Sequence, residues 1–194
     1  VIGVSGELAN HGAIDLGGTS SIGLVTATDL VNYATGVITT GGSTGGHTFD
    51  AAIANFGRFV IDQTTTIVNA SRTLGAESGT FEVADGRALN IHNGNLAINA
   101  ASVFSGAGTL ALHGTVTVAV NGDYAFAADG LTWSLPGNVD FTATGTLTNR
   151  STLVPSHDRF HAPFINEGDV VLTGSNSVEF LDGFTNAAVG VLTL

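Results

Sequence analysis

Residues 53–61 read Ile53-Ala54-Asn55-Phe56-Gly57-Arg58-Phe59-Val60-Ile61: an apolar residue, a spacer and Asn, then a short gap and an alternating apolar strand. The same unit recurs along the chain, with its asparagine at Asn10, Asn32, Asn55, Asn149, Asn166 and Asn186. Successive asparagines are separated by 22 and 23 residues in the first group and by 17 and 20 residues in the second. A period near 20 with elastic spacing is typical of β-helix coils, whereas leucine-rich repeats of that length need a fixed leucine consensus.

Strand patterning continues where the Asn unit lapses, between residues 56 and 148. Segments such as Thr80–Ala84 and Val116–Val120 alternate apolar and polar residues with a period of two, which predicts one inward and one outward face. Turn dipeptides separate the strands, at Asp85-Gly86, Asn93-Gly94, Asn121-Gly122, Asp129-Gly130 and Asp182-Gly183. No segment of ten residues keeps a helical period, so the sequence predicts an all-β fold.

Two all-β architectures fit these patterns. Asn-Gly and Asp-Gly turns also suit hairpins, so an antiparallel β-sandwich is the structural alternative. The recurrence of Asn at one place in the unit favours a coil, because stacked asparagines can hydrogen-bond along the stack as a ladder. We therefore predict a single domain over residues 1–194, a parallel β-helix of about nine coils whose core contains stacked Leu, Val, Ile and Phe. Trp133 is expected to pack inward.

The composition excludes several classes of function. Lysine is absent, and the five arginines face 16 acidic residues, which gives a net charge of -11. Binding to nucleic acid or to anionic lipid rests on Lys and Arg, so neither is expected. Cysteine is absent, which excludes disulfides and thiolate chemistry, and no apolar run is long enough to span a membrane as a helix. An acidic, lysine-free surface fits an extracellular protein.

Two short motifs carry a resemblance to known families. The segment Gly106-Ala107-Gly108-Thr109-Leu110-Ala111-Leu112-His113-Gly114 resembles the strand repeat of bacterial autotransporter passenger domains, and Asp169–Gly174 resembles a weaker copy. The Asn-x-Gly units are similar to those of filamentous-haemagglutinin-like adhesins. The resemblance implies a right-handed parallel β-helix on the bacterial cell surface. It transfers no functional residue to this chain.

The segment Pro155–Pro163 holds the densest group of polar side chains. His157 and His161 are four residues apart, with Asp158 as a further metal ligand, so these three residues are the candidates for a metal site. The flanking prolines instead predict a solvated loop that interrupts the coil. Paired carboxylates would indicate a glycosidase or a polysaccharide lyase, but no spacing singles out a pair among Asp140, Asp158, Asp169, Glu179 and Asp182. No cofactor is expected beyond the hypothesis that isolated turn aspartates bind Ca²⁺.

These observations lead to one functional expectation and one alternative. The chain is expected to be a structural or adhesive module, a stalk or filament, of a secreted bacterial cell-surface protein. The alternative is a carbohydrate-active enzyme or a glycan-binding module on the same scaffold. The last unit stops at Gly190–Leu194 without a polar cap, so we expect a fragment of a longer repeat protein. Expected partners are surface glycans or proteins, or another copy docked at an uncapped end.

Overall fold

The computed structural model describes residues 1–18, 20–42, 45–127, 129–174 and 176–194, with the side chains of residues 25–28 left aside. Short β-strands account for nearly all of its regular structure. In chain order they are β1 (Ile2–Val4), β2 (Leu8–Asn10), β3 (Ala13–Leu16), β4 (Gly23–Asn32), β5 (Val37–Thr40), β6 (His47–Asn55), β7 (Arg58–Ile61), β8 (Thr65–Val68), β9 (Thr73–Ala76), β10 (Thr80–Val83), β11 (Ala88–Asn99), β12 (Val103–Gly106), β13 (Thr109–Asn121), β14 (Tyr124–Phe126), β15 (Thr132–Ser134), β16 (Asn138–Ala143), β17 (Leu147–Asn149), β18 (Thr152–Val154), β19 (His157–His161), β20 (Phe164–Asn166), β21 (Asp169–Val171), β22 (Ser177–Phe180), β23 (Phe184–Asn186) and β24 (Val191–Thr193). Within these described ranges no helix is long and apolar enough to cross a membrane.

Every strand pairing among the described residues is parallel. Each strand pairs with strands about one repeat earlier and later in the chain, so the chain coils as a parallel β-solenoid of eight to nine turns. The predicted parallel β-helix is confirmed, and the antiparallel β-sandwich is wrong. A sandwich would require neighbouring strands to run in opposite directions.

Each turn of the solenoid contributes to three faces. The first face stacks β1, the first parts of β4 and β6, β8, the first parts of β11 and β13, and then β15, β18, β21 and β24. The second face stacks β2, the second parts of β4 and β6, β9, the second parts of β11 and β13, and then β16, β19 and β22. The third face consists of two sheets, β3-β5-β7-β10-β12 followed by β14-β17-β20-β23.

The core forms because alternate residues of each strand point inward, and the in-register pairing stacks them on their equivalents in the next turn. On the third face, Phe59, Phe81 and Phe104 stack with ring centroids 5.5 and 5.0 Å apart. All three rings are buried, as is Trp133, which confirms its predicted inward orientation. The ten strands stacked on the first face are separated by nine steps of about 4.8 Å, so the stack is about 43 Å long.

The corners between faces use the turn dipeptides that the sequence predicts. In all five dipeptides the glycine has a positive φ, at Gly86, Gly94, Gly122, Gly130 and Gly183. Glycine adopts this left-handed conformation without the steric cost of a Cβ atom. Gly106 also has a positive φ of 105°, and a Cβ added there would lie 2.1 Å from the carbonyl oxygen of Val83 in the preceding turn.

The predicted loop at Pro155–Pro163 is wrong. Residues 157–161 form strand β19, which pairs with β16 on one side and β22 on the other, in the next-to-last position of the second face. The two prolines lie outside the strand, at the corners that precede and follow it. Proline is tolerated there because a corner position does not need a ladder hydrogen bond from its nitrogen.

Candidate functional site

Three of the predicted asparagines form one buried ladder at the corner between the second and third faces. The Nδ2 of Asn10 donates to Oδ1 of Asn32 over 2.8 Å, and Nδ2 of Asn32 donates to Oδ1 of Asn55 over 2.7 Å. Asn55 ends the ladder by donating to the carbonyl oxygen of Thr80 at 3.2 Å. Because amides both donate and accept, each buried side chain satisfies its neighbours in the turns before and after it.

The other three asparagines form a second ladder at a different corner. Asn149 donates to Asn166 and Asn166 donates to Asn186, both over 2.8 Å. These residues end the third-face strands β17, β20 and β23, whereas the first ladder ends the second-face strands β2, β4 and β6. The expectation that Asn recurs at one place in the repeat is therefore wrong. A buried amide can hold any corner at which the chain leaves one strand and starts the next.

The candidate metal ligands His157, Asp158 and His161 do not converge. Because neighbouring residues of a strand point to opposite faces, His157 and His161 lie outside and exposed, whereas Asp158 points inward and is 1% exposed. The two histidines are four residues apart in an extended strand, so their Cα atoms are separated by about 13 Å. Within the described residues, no group of three His, Asp or Glu side chains is arranged to hold a metal ion.

Asp158 caps a corner of the solenoid from the inside. Its Oδ1 accepts a hydrogen bond from the backbone N–H of Val139 at 2.9 Å, and its Oδ2 accepts one from the N–H of Ser156 at 2.7 Å. Burial nevertheless raises the pKa of Asp158 to about 6, because removing the carboxylate from water outweighs these two hydrogen bonds. A raised pKa is typical of a general acid, and Asp158 lines a small pocket with His157 and Arg159, but both of its oxygens already accept backbone hydrogen bonds and its side chain is almost fully buried.

The other candidate carboxylates are distributed over several parts of the surface. Asp169 lies on the first face in β21, and Asp182 lies in the turn after β22. Asp140 and Glu179 are on the second face, where Asp140 pairs in register with Arg159 and Arg159 with Glu179. Arg159 bonds Glu179 through Nε at 3.1 Å, so this carboxylate already has a cationic partner.

A charged patch therefore covers the last turns of the second face, formed by Asp140, His157, Arg159, His161 and Glu179. His161 Nε2 lies 3.8 Å from Oδ1 of Asp140, a contact that becomes an ion pair when the imidazole is protonated. The patch spans three consecutive turns, and its side chains are accessible from outside.

A second pair of histidines, not singled out from the sequence, lies on the first face. His92 in β11 and His113 in β13 are partners in register, and their rings stack with centroids 4.5 Å apart and planes inclined by 14°. Burial lowers the pKa of His113, and the neighbouring His92 lowers it further. The sequence does contain a signal for this pair. Each histidine ends an alternating strand segment just before a glycine turn, His92 before Asn93-Gly94 and His113 before Gly114.

Comparisons of this chain with protein-family models, with curated proteins and with solved structures found no match. Its function is therefore inferred from its own geometry.

Proposed function

We propose that the chain is a rigid structural module, a stalk or filament segment with adhesive potential, in a secreted bacterial cell-surface protein. One observation supports this proposal above all: a stack of parallel turns about 43 Å long, continuous along the first face, whose core continues from turn to turn. Each turn of a solenoid packs only on its neighbours, so such a stack extends a surface at a constant cross-section.

The packing of aromatic side chains favours a stiff rod over a flexible one. Ring contacts connect successive turns without interruption from the third turn to the ninth, through Phe49, Phe59, Phe81, Phe104, Trp133, Phe126, Phe141, Phe160 and Phe180. Close-packed interiors have low compressibility, and the two asparagine ladders connect successive turns at two corners. Bending the rod would require these contacts to open together.

The surface supports a location outside the cell. The chain lacks lysine and cysteine, carries a net charge of -11, and resembles autotransporter passengers and filamentous-haemagglutinin-like adhesins in its repeat texture. A high net negative charge keeps rods apart and soluble in the absence of a specific partner. Surface glycans and surface proteins are the partners that this proposal assigns to the module.

The proposal is tested on cells that produce the protein. Antibodies raised against the purified chain should label intact cells, and protease treatment of those intact cells should remove the label. In parallel, immobilised chain should retain glycans or cells without releasing reducing sugar from a panel of polysaccharides. Labelling that appears only after lysis would refute the surface location, and sustained polysaccharide cleavage would refute a purely structural role.

A second candidate, a carbohydrate-active enzyme, is favoured by the register of Asp140 and Glu179. These residues lie two strands apart on the second face, so their Cα atoms are about 10 Å apart. Inverting glycosidases hold their two carboxyl groups about 6.5–9.5 Å apart, which side chains leaning toward Arg159 would reach. If cleavage occurs, Asp140→Asn and Glu179→Gln should each abolish it, while Asp169→Asn on the first face should not. Cleavage that survives both variants would exclude this pair.

A further inference from the structure

His92 and His113 are brought together only by the coiling of the chain. They are 21 residues apart in sequence, yet they occupy equivalent positions in consecutive turns of the first face. Their rings lie nearly parallel, with a centroid separation of 4.5 Å. This separation is close to the spacing of neighbouring strands, so both imidazoles leave the sheet side by side and in the same direction.

The two rings have the properties of metal ligands. Both side chains are half-buried, and no hydrogen bond to either ring is found among the described residues. Rotation about χ2 of a histidine is soft, so the two rings can turn their nitrogens toward a common point.

We propose that His92 and His113 form a two-histidine site for a first-row transition-metal ion on the first face of the solenoid. Imidazole nitrogen suits Zn²⁺, Cu²⁺ and Ni²⁺, whereas Ca²⁺ and Mg²⁺ prefer oxygen ligands. Two protein ligands leave the remaining coordination positions to water or to a group supplied from outside. Such a site does not depend on the structural role proposed above.

The test uses the full chain, stripped of metal with a chelator and titrated calorimetrically with ZnCl₂, NiCl₂ or CuCl₂ at pH 7.5. We expect one ion to bind per chain, and His92→Gln or His113→Gln to weaken binding at least tenfold. His11→Gln is the matched control, because His11 stacks at 4.1 Å on Tyr33 instead of on a second imidazole. His161→Gln controls for binding at the charged patch. Neither control should change the affinity.

A spectroscopic measurement separates metal ligation from a structural effect of the substitutions. Substoichiometric Cu²⁺ should broaden the ring-proton resonances of His92 and His113 first, and the far-UV circular dichroism of both glutamine variants should match that of the wild type. The proposal is overturned if the wild type binds no ion more tightly than about 1 mM. It is also overturned if His92→Gln retains full affinity, or if a control variant loses as much as the glutamine variants of the pair.

Discussion

Replacing Asn32 tests whether the first asparagine ladder holds the solenoid together. The side chain is completely buried, donates to Asn55 at 2.7 Å and accepts from Asn10 at 2.8 Å. In Asn32→Ala, Oδ1 of Asn55 loses its donor from the ladder, and the amide of Asn10 keeps only a 3.3 Å contact to the carbonyl oxygen of Val37. Each buried polar group left without a partner costs about 1–3 kcal/mol, and two groups are affected, so the free energy of unfolding should fall by about 2–6 kcal/mol.

Two further variants separate the hydrogen bonds from the volume of the side chain. Asn32→Leu fills a similar space but leaves the same partners unsatisfied, so it should be nearly as destabilising as Asn32→Ala. Replacing Asn10, Asn32 and Asn55 together by Leu also removes the side-chain amides that a single substitution leaves without a partner in the ladder. The triple variant should therefore lose less than the sum of the three single variants, because it replaces both members of each Asn–Asn pair and leaves only the bonds to the carbonyl oxygens of Val37, Arg58 and Thr80 unmade.

The assay is equilibrium unfolding in urea, followed by far-UV circular dichroism and by tryptophan fluorescence from Trp133. Asn95→Ala is the matched control, since Asn95 is an exposed strand residue whose substitution should change stability by no more than about 0.5 kcal/mol. Coincident transitions by the two probes would justify a two-state analysis. A loss below about 1 kcal/mol for Asn32→Ala, or an equal loss for Asn95→Ala, would refute a stabilising role for the ladder.

Three other perturbations have defined outcomes. Because the pKa of Asp158 is raised from 3.8 to about 6 in the folded chain, the folded state binds its proton more tightly than the unfolded state. The free energy of unfolding should fall by about 2 kcal/mol as pH rises from 4 to 6, out of about 3 kcal/mol over the full range from below pH 3 to above pH 7, and urea titrations of Asp158→Asn should lack that component, whereas those of Asp140→Asn should retain it. Phe81→Ala removes a ring stacked between two others in the core and should cost about 3–5 kcal/mol in the same assay, with normal stability counting against the aromatic core. Gly106→Ala places a Cβ atom against the carbonyl of Val83 at a positive φ, so its thermal midpoint should fall by several degrees, and an unchanged midpoint would contradict the close approach.

Much of the fold could be predicted because its local signals and its tertiary contacts agree. The alternation of apolar residues defines strands, and Asp85-Gly86 or Asn121-Gly122 ends them, since only glycine adopts the positive φ of these corners at no steric cost. The prediction of a loop over Pro155–Pro163 is wrong for a related reason. Proline signals a break in hydrogen bonding, but a solenoid has such a break at every corner, so two prolines can bracket a strand.

The two ladders could not be told apart from the sequence. Each follows a strand that ends in an apolar residue, a spacer and Asn, and each is followed by another strand. Nothing local distinguishes the corner after the second face from the corner after the third, because both require a buried amide to satisfy the backbone of the turn. In the sequence, the interval between Asn55 and Asn149 therefore resembles a gap in a single ladder. In the structure, it separates two ladders at different corners.

The same limit applies to the candidate sites. Alternation shows that His157 and Asp158 point in opposite directions, but it does not show which of them points inward, and the chemistry assigned to the pair changes with that choice. The His92–His113 pair depends on register, since a shift of one residue between consecutive turns would place one ring outside and the other inside. Strand periodicity predicts only which residues of the same strand point to the same side of the sheet. The chemistry of a solenoid surface depends instead on side chains that align across successive turns, such as Asp140, Arg159 and Glu179. This alignment can be identified only when the number of residues in each turn is known.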